Sequence, residues 1–355
     1  MDKKTLKVFE CYAGYGGCSF ALKKANIDFQ VVGFSEIKDS VMQIYNKNHF
    51  HEREDGTPFQ EIDNYGDITK IDPKELPDFD LISGGFPCQD VSLAGKRDLS
   101  KGRTTSVFDM LEIIRVKKPK YCILENVKGI FSIRGGEFLR EIIRELKAMN
   151  YAVSYKLLNT LDHGIPQNRE RVFICCELDR EIFGFDPFPK KEPLSLLLKD
   201  LLEDNVDEKY FLNEKNYESL KKSLERRGKV LKNLIRDKSA LCLMSRHPSR
   251  CFHDTTLIVH SKQPRSGKGK GGKGHLMKVG DSSYCVDTKN SQYIEFLDLD
   301  KNRLRILTPK ECFRLMGFVN DDINIDGFSD TQLYEASGNG WDVNLVSKIF
   351  KRWLK

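Results

Sequence analysis

Cys88 stands in the stretch Ser83-Gly84-Gly85-Phe86-Pro87-Cys88-Gln89, straight after the apolar run Phe79–Ser83. A thiolate is a strong, soft nucleophile, and the carboxyl end of a strand in a parallel sheet is where such sheets bind ligands. A lone cysteine is also commonly a buried structural residue, so the motif alone leaves both readings open. Glu125 closes a second apolar run, Tyr121–Leu124, in Glu125-Asn126-Val127. A carboxyl group among apolar neighbours holds its proton and can donate it; it can equally cap a helix or pair with a base. In Pro166-Gln167-Asn168-Arg169-Glu170-Arg171 the two arginines stand two apart, and in extended chain they point the same way. Two guanidinium groups on one side can hold a base carbonyl or phosphates; two solvated arginines are the plain alternative.

A fourth stretch comes first in the chain. Val8-Phe9-Glu10-Cys11 runs into Tyr12-Ala13-Gly14-Tyr15-Gly16-Gly17 and then a helical segment. Glycines let a backbone turn tightly and approach a ligand closely. Glu36, nineteen residues beyond Gly17, ends a second apolar run, where an acid can accept hydrogen bonds from ribose hydroxyls. The spacing is not that of the dinucleotide fingerprint, and a tight turn in any α/β protein would read the same way.

The elements that must position these residues alternate. Strand-like runs are Leu6–Cys11, Val31–Ser35, Phe79–Ser83, Tyr121–Leu124, Tyr151–Asn159 and Arg171–Cys176. Helical spacing appears at Ser19–Ala25, Val107–Val116 and Glu137–Met149, where Phe138, Ile142 and Leu146 share a face. Strands alternating with helices predict an α/β fold with a parallel sheet. The pattern changes after about residue 178: Asn213–Leu234 reads as a polar surface helix, and residues 261–275 hold five basic residues and five glycines with no acid. Such a stretch cannot build a core. Helical patterns return at Thr308–Met316 and Val343–Leu354.

Composition sets the outer limits. The 355 residues are 39% hydrophobic and 31% charged with a net charge of +6, which permits a polyanionic partner without demanding one. No apolar run reaches the roughly 18 residues of a membrane span. The N-terminus lacks the long apolar core of a signal peptide, so the ten cysteines read as reduced residues of a cytoplasmic protein.

The order of the motifs is more specific than any one of them. Tyr12–Gly17, Glu36, Gly66-Asp67-Ile68, the Cys88 stretch, Glu125-Asn126-Val127, the Arg169/Arg171 stretch, Leu307–Phe318 and Ser337-Gly338-Asn339-Gly340 follow one another in one chain. In that order they resemble the cytosine-C5 DNA methyltransferases of bacteria and phages, over about residues 5–178 and 303–355. The resemblance implies a Rossmann-like S-adenosylmethionine-dependent domain with a mainly parallel sheet, residues 1–178 and 330–355, and an inserted target-recognition domain, residues 179–329. It implies that Cys88 attacks C6 of the cytosine, that Glu125 holds and protonates N3, that Arg171 contacts the base and that Arg169 supports the site. Tyr12, Ala13, Gly14, Tyr15, Gly16, Gly17, Glu36, Ile37, Asp67, Ile68, Pro87 and Asn339 match positions that bind S-adenosylmethionine. Gln89, Ser92 and Arg97 fall at or in the loop that closes over a flipped base and are expected to touch DNA. Two positions depart from the commonest pattern: Ser106 replaces a leucine over the cofactor, and Trp341 follows Gly340 in the last motif.

The insertion is expected to recognise duplex DNA. Lys268, Lys270 and Lys273 suit phosphates; Arg246, Arg250 and Arg265 suit base edges. A solvated loop is the alternative for the Lys/Gly run. Cys242, Cys251 and His253 lack the paired spacing of a zinc site, and no metal is expected. The resemblance further implies a monomer, cytoplasmic and nucleoid-associated, with or without a separate restriction endonuclease. Methylation of tRNA by the same chemistry is an alternative, but the Cys-Phe-Thr signature of that branch is met only by Cys312-Phe313-Arg314, inside the Leu307–Phe318 motif. An inactive DNA-binding relative is expected to lack Cys88 or Glu125, and both are present. A thiol-modified metabolic enzyme on a nucleotide-binding fold accounts for the glycine turn and Cys88, but not for the Arg169/Arg171 stretch or the basic insertion.

Overall fold

Leu6, Val8 and Phe9 favour extended chain, and they begin strand β1 (Leu6–Cys11). The computed structural model describes residues 5–49, 62–87, 106–211, 213–214, 283–284, 293–298 and 301–354. From β1 the chain passes through the glycine turn into α1 (Gly17–Lys24), β2 (Phe29–Ser35) and α2 (Asp39–His49). Then come β3 (Leu81–Gly85), α3 (Ser106–Lys117), β4 (Tyr121–Val127), α4 (Glu137–Ala148) and β5 (Tyr151–Asn159). Two closely spaced strands follow, β6 (Gln167–Asn168) and β7 (Glu170–Leu178).

Six of these strands make one sheet in the order β2-β1-β3-β4-β7-β5. β1 is parallel to both β2 and β3, and β3 to β4; β7 runs antiparallel to β4. The sheet is therefore mainly parallel, as expected, with β7 reversed. Because β2 lies on one side of β1 and β3 on the other, the strand order reverses at β1, where open α/β sheets form their ligand crevice. Parallel direction also puts the glycine turn, Glu36, Phe86-Pro87 and Glu125 at one edge of the sheet.

Alternation along β1 sorts its side chains by face. Phe9 and Cys11 join Ile82, Cys122 and Leu124 in a core closed by Met110, Ile113 and Ile114 of α3 and Ile142 and Leu146 of α4. Glu10 turns to the face covered by α1 and α2.

The chain divides into two compact units. One comprises Met1–Leu158, Glu170–Lys190 and Leu345–Lys355; the other comprises Asn159–Arg169 and Lys191–Asn344. This division falls elsewhere than the 1–178/330–355 boundary expected from sequence, because residues 159–169 hold on to the C-terminal motifs. Asn344 Nδ2 donates to the His163 carbonyl at 2.8 Å, and Gln167 Nε2 donates to the Leu315 carbonyl.

In the second unit β6 pairs with β8 (Ser283–Tyr284), and β9 (Tyr293–Asp298) and β10 (Lys301–Ile306) form an antiparallel hairpin. α5 (Pro309–Leu315) starts at Thr308 with a reciprocal cap: Glu311 N–H donates to the Thr308 side chain, and Thr308 N–H donates to the Glu311 carboxylate. Both carboxylate oxygens of Glu311 also receive the Arg305 guanidinium, at 2.7 and 2.5 Å, with neither side chain exposed. α6 (Asp330–Asn339) is capped in the same reciprocal way by Ser329 and Gln332. α7 is Val343–Trp353; in the first unit Trp353 packs edge-on against Tyr121 at 5.4 Å. Among the described residues no helix is long and apolar enough to cross a membrane.

Candidate active site

The glycine turn is held by side chains from β2 and the segment after α2. Tyr12, Gly14 and Gly16 all have positive φ, at 51°, 59° and 85°. For Gly16 the requirement is also steric, because a Cβ there would lie 2.1 Å from His49 Nε2. Gly14 N–H donates to Glu36 Oε2 at 3.0 Å, while Glu36 Oε1 accepts the N–H groups of Ile37 and Lys38. Asn64 locks Glu36 in turn: its Oδ1 accepts Glu36 N–H and its Nδ2 donates to the Glu36 carbonyl. Glu36 is half-buried, and next to it Ile37 leaves 71% of its surface exposed. A large apolar side chain so exposed beside a carboxylate offers a flat ring a surface and a ribose an acceptor.

Asp67 caps the short turn Ile68–Lys70, accepting from Thr69 N–H at 3.1 Å, and these Thr69 bonds hold its carboxyl below the ordinary value. Ile68 is buried. The Tyr12 hydroxyl donates to the Ser106 carbonyl at 2.7 Å, and burial raises its pKa. Ala13, Tyr15 and Gly17 complete the turn; Tyr15 and Gly17 are buried. These residues, all in the first unit, make the cradle at the β1/β3 crevice, and the open backbone and acceptors suit a nucleoside.

The end of β3 is tied to β4. Asn126 Nδ2 donates to the Phe86 carbonyl at 2.9 Å, fixing the chain just before exposed Pro87 and the Cys88 position. Beside this tie, Glu125 lies opposite Gly85 in β3 and opposite Phe173 in β7. Arg171, two residues before Phe173, sits diagonally across, and its Nε donates to Glu125 Oε1 at 3.0 Å; both side chains are largely buried. The reversed direction of β7 thus delivers a guanidinium to the carboxylate.

Arg169 and Arg171 are held by different partners, Arg169 by backbone carbonyls and Arg171 by Glu125. Arg169 sits at the break between β6 and β7, so strand alternation does not carry across it. It is buried and donates to the Gly340 carbonyl at 2.6 Å and, at 3.4 and 3.5 Å, to the Gly338 carbonyl, gripping the end of α6 within the second unit. Asn339 is the exposed last residue of α6, and Trp341 is buried just beyond it.

Cys88, Gln89, Ser92, Arg97, Arg246, Arg250, Arg265, Lys268, Lys270 and Lys273 lie outside the described residues, as do Cys242, Cys251, His253 and the segment 215–234. Six cysteines are described, and all are buried. Burial pushes the thiols of Cys11, Cys18, Cys122, Cys175 and Cys176 well up, which suits packing and not attack. Sequence reasoning missed Asn64 and His49 and gave Asn126 no task. Only Asn126 carried a signal, its place beside Glu125.

A crevice for a nucleoside, with a paired carboxylate on the neighbouring strand, defines a class, and comparison places the chain in it. The chain belongs to the C-5 cytosine-specific DNA methylase family, which it matches over residues 6–355. It is 32% identical to the type II methyltransferase M2.ScrFI of Lactococcus lactis subsp. cremoris, across 99% of each chain. It is 28% identical to the orphan methyltransferase M.SPRI of Bacillus phage SPR, across 98% of this chain and 97% of the other. Among solved structures, a mutant of Spodoptera frugiperda DNMT2 shares the fold with a TM-score of 0.70 at 20% identity, across 99% of this chain and all of the other.

Proposed function

We propose that the chain methylates carbon 5 of a cytosine within a short sequence of duplex DNA, with Cys88 as the nucleophile and S-adenosylmethionine as the methyl donor. What carries the reading is the first unit's arrangement: the strand leading to Cys88 is pinned by Asn126, beside a carboxylate held by Arg171. The cradle fits the donor, since Glu36 and Ile37 offer a ribose acceptor and an apolar face, and Asp67 a further carboxylate. When bound, S-adenosylmethionine supplies an electrophilic methyl group on a sulfonium.

The residues divide the work as follows. The Cys88 thiolate forms a bond to C6, and the electron pair of the C5–C6 double bond moves through the ring to N3. Glu125, whose ionised form Arg171 favours and which must therefore first take up a proton, holds N3 and delivers that proton there, which leaves C5 the nucleophilic end of an enamine. After transfer, a base removes the C5 proton, the Cys88–C6 bond breaks to restore the thiolate, and the N3 proton returns to Glu125, which leaves the ring neutral and aromatic. Arg171 keeps the Glu125 carboxyl in place. A stacked base hides C6, so the cytosine must leave the helix, at a cost of a few kcal/mol. We assign its capture to the segment around Gln89, Ser92 and Arg97 and to the Arg- and Lys-bearing part of the second unit. M2.ScrFI and M.SPRI are named as a type II and an orphan methyltransferase; for this chain we assign neither setting.

Transfer of RNA-directed chemistry to this chain lacks support: Cys312 and Phe313 are buried core residues of α5, and the family whose model spans the chain is one of DNA methylases. The test is Cys88→Ala, assayed with radiolabelled S-adenosylmethionine on genomic DNA free of methylcytosine and on tRNA. Label should enter DNA with the wild type and not with the variant, while DNA binding by the variant stays close to wild type. Turnover by the variant would end the assignment of Cys88.

A further inference from the structure

Glu10 is a carboxylate in the wrong place for a core: it is 1% exposed, in the middle of the sheet, on the face covered by α1 and α2. Its neighbours explain the site. Ser19 Oγ donates to Glu10 Oε1 at 2.5 Å, and Ser19 N–H also bonds the carboxylate. Ser19 lies in the first turn of α1, just beyond Gly17 and Cys18. A negative charge there meets the positive end of the helix dipole. Tyr45 of α2 approaches from the other side, yet Oε2 makes no hydrogen bond of ordinary geometry among the described residues. A leucine or methionine would fill the same space without the cost of burying a charge.

We propose that Glu10 is a positioning residue for the cofactor turn: by holding both donors of Ser19, its carboxylate fixes the start of α1 and with it Gly14–Gly17, so that the ionised form favours cofactor binding. The turn is then clamped twice, by Glu36 on Gly14 from β2 and by Glu10 on Ser19 from β1. Burial pushes the Glu10 carboxyl up to about 7, against the Ser19 and Tyr45 bonds that pull it down, so its charge changes near neutral pH. The other titratable groups that feel it, Cys11, Cys18 and Tyr45, are all raised by burial and stay neutral there. His49 of α2 touches the turn at the Tyr15 carbonyl, 2.9 Å away, so the wild-type pH profile alone does not single out Glu10. The Gln variant does.

The inference rests on the cofactor reading above. S-adenosylhomocysteine is titrated calorimetrically into the full chain from about pH 8 to about pH 6. Wild-type affinity should fall by about fivefold or more on acidification. Glu10→Gln, a neutral side chain of the same shape, should lose most of that fall. Ser19→Ala removes a bond that lowers the Glu10 pKa, and should move the midpoint to higher pH. The same profile in wild type and Glu10→Gln overturns the inference; if Glu10→Gln does not fold, an unmoved midpoint in Ser19→Ala does so. Absence of binding by every form at every pH would instead sink the cofactor reading itself.

Discussion

Glu125 and Arg171 are bound to each other by their surroundings as much as by charge. Their side chains are only 11% and 15% exposed, so solvent screens the pair poorly. Taking the charge from one leaves the other buried and uncompensated, a situation that costs about 3–5 kcal/mol in other proteins. Glu125→Gln should therefore lower stability by roughly 3 kcal/mol, read from the urea midpoint. It should also lower kcat by about a hundredfold or more, since proton delivery in a transition state is worth that much. A variant that loses stability but turns over at the wild-type rate would reduce Glu125 to a structural partner of Arg171. Arg169, by contrast, has its guanidinium spent on backbone carbonyls at the end of α6. Two arginines with the same spacing and the same motif thus do different things, and the break in the strand at Arg169 decides which.

At the scale of elements, the turn between β1 and α1 is the most constrained piece of the site. A left-handed residue with a Cβ costs roughly 1–2 kcal/mol on its own. Gly14→Ala should pay about that, because its Cβ would meet nothing closer than the Tyr12 carbonyl at 3.9 Å. Gly16→Ala adds a collision with His49, which is itself wedged between Phe20 and Tyr45. The expectation is a clearly larger loss of thermal stability for Gly16→Ala than for Gly14→Ala; equal losses would mean that His49 swings away freely. The same elements show what the sequence discloses. β1 and β5 run as their residue patterns indicate, and α3 and α4 lie within a residue or so of the expected spans, because each has a clear apolar period. α2 was overlooked although Val41, Ile44 and Tyr45 have helical spacing, since polar residues dominate between them. The hairpin β9/β10 was overlooked because its second strand opens with Lys301, Asn302 and Arg303. Strand direction leaves no trace in alternation, so neither the reversal of β7 nor the Glu125–Arg171 meeting it creates could be read from residue types.

For the molecule as a whole, order along the chain spoke more clearly than any local motif. The motifs from Tyr12 to Gly340 are spread along nearly the whole chain, and each alone has an ordinary explanation. Their succession matched a family that the whole chain shares, residues 6–355. The boundary between units was less legible: residues 159–169 lie between two strands of the first unit, yet they fall in the second, where they bond Leu315, Gly338, Gly340 and Asn344 and pair with β8. The central claim is that this chain places methyl groups on cytosine in DNA. Its most direct test is expression in a bacterial host devoid of cytosine methylation, followed by bisulfite sequencing of the genome, with Cys88→Ala and host tRNA as controls. Cells carrying the wild type should hold 5-methylcytosine at one short sequence, and cells carrying the variant none. Methylated tRNA with unmarked DNA, or marked DNA with Cys88→Ala, would contradict that claim.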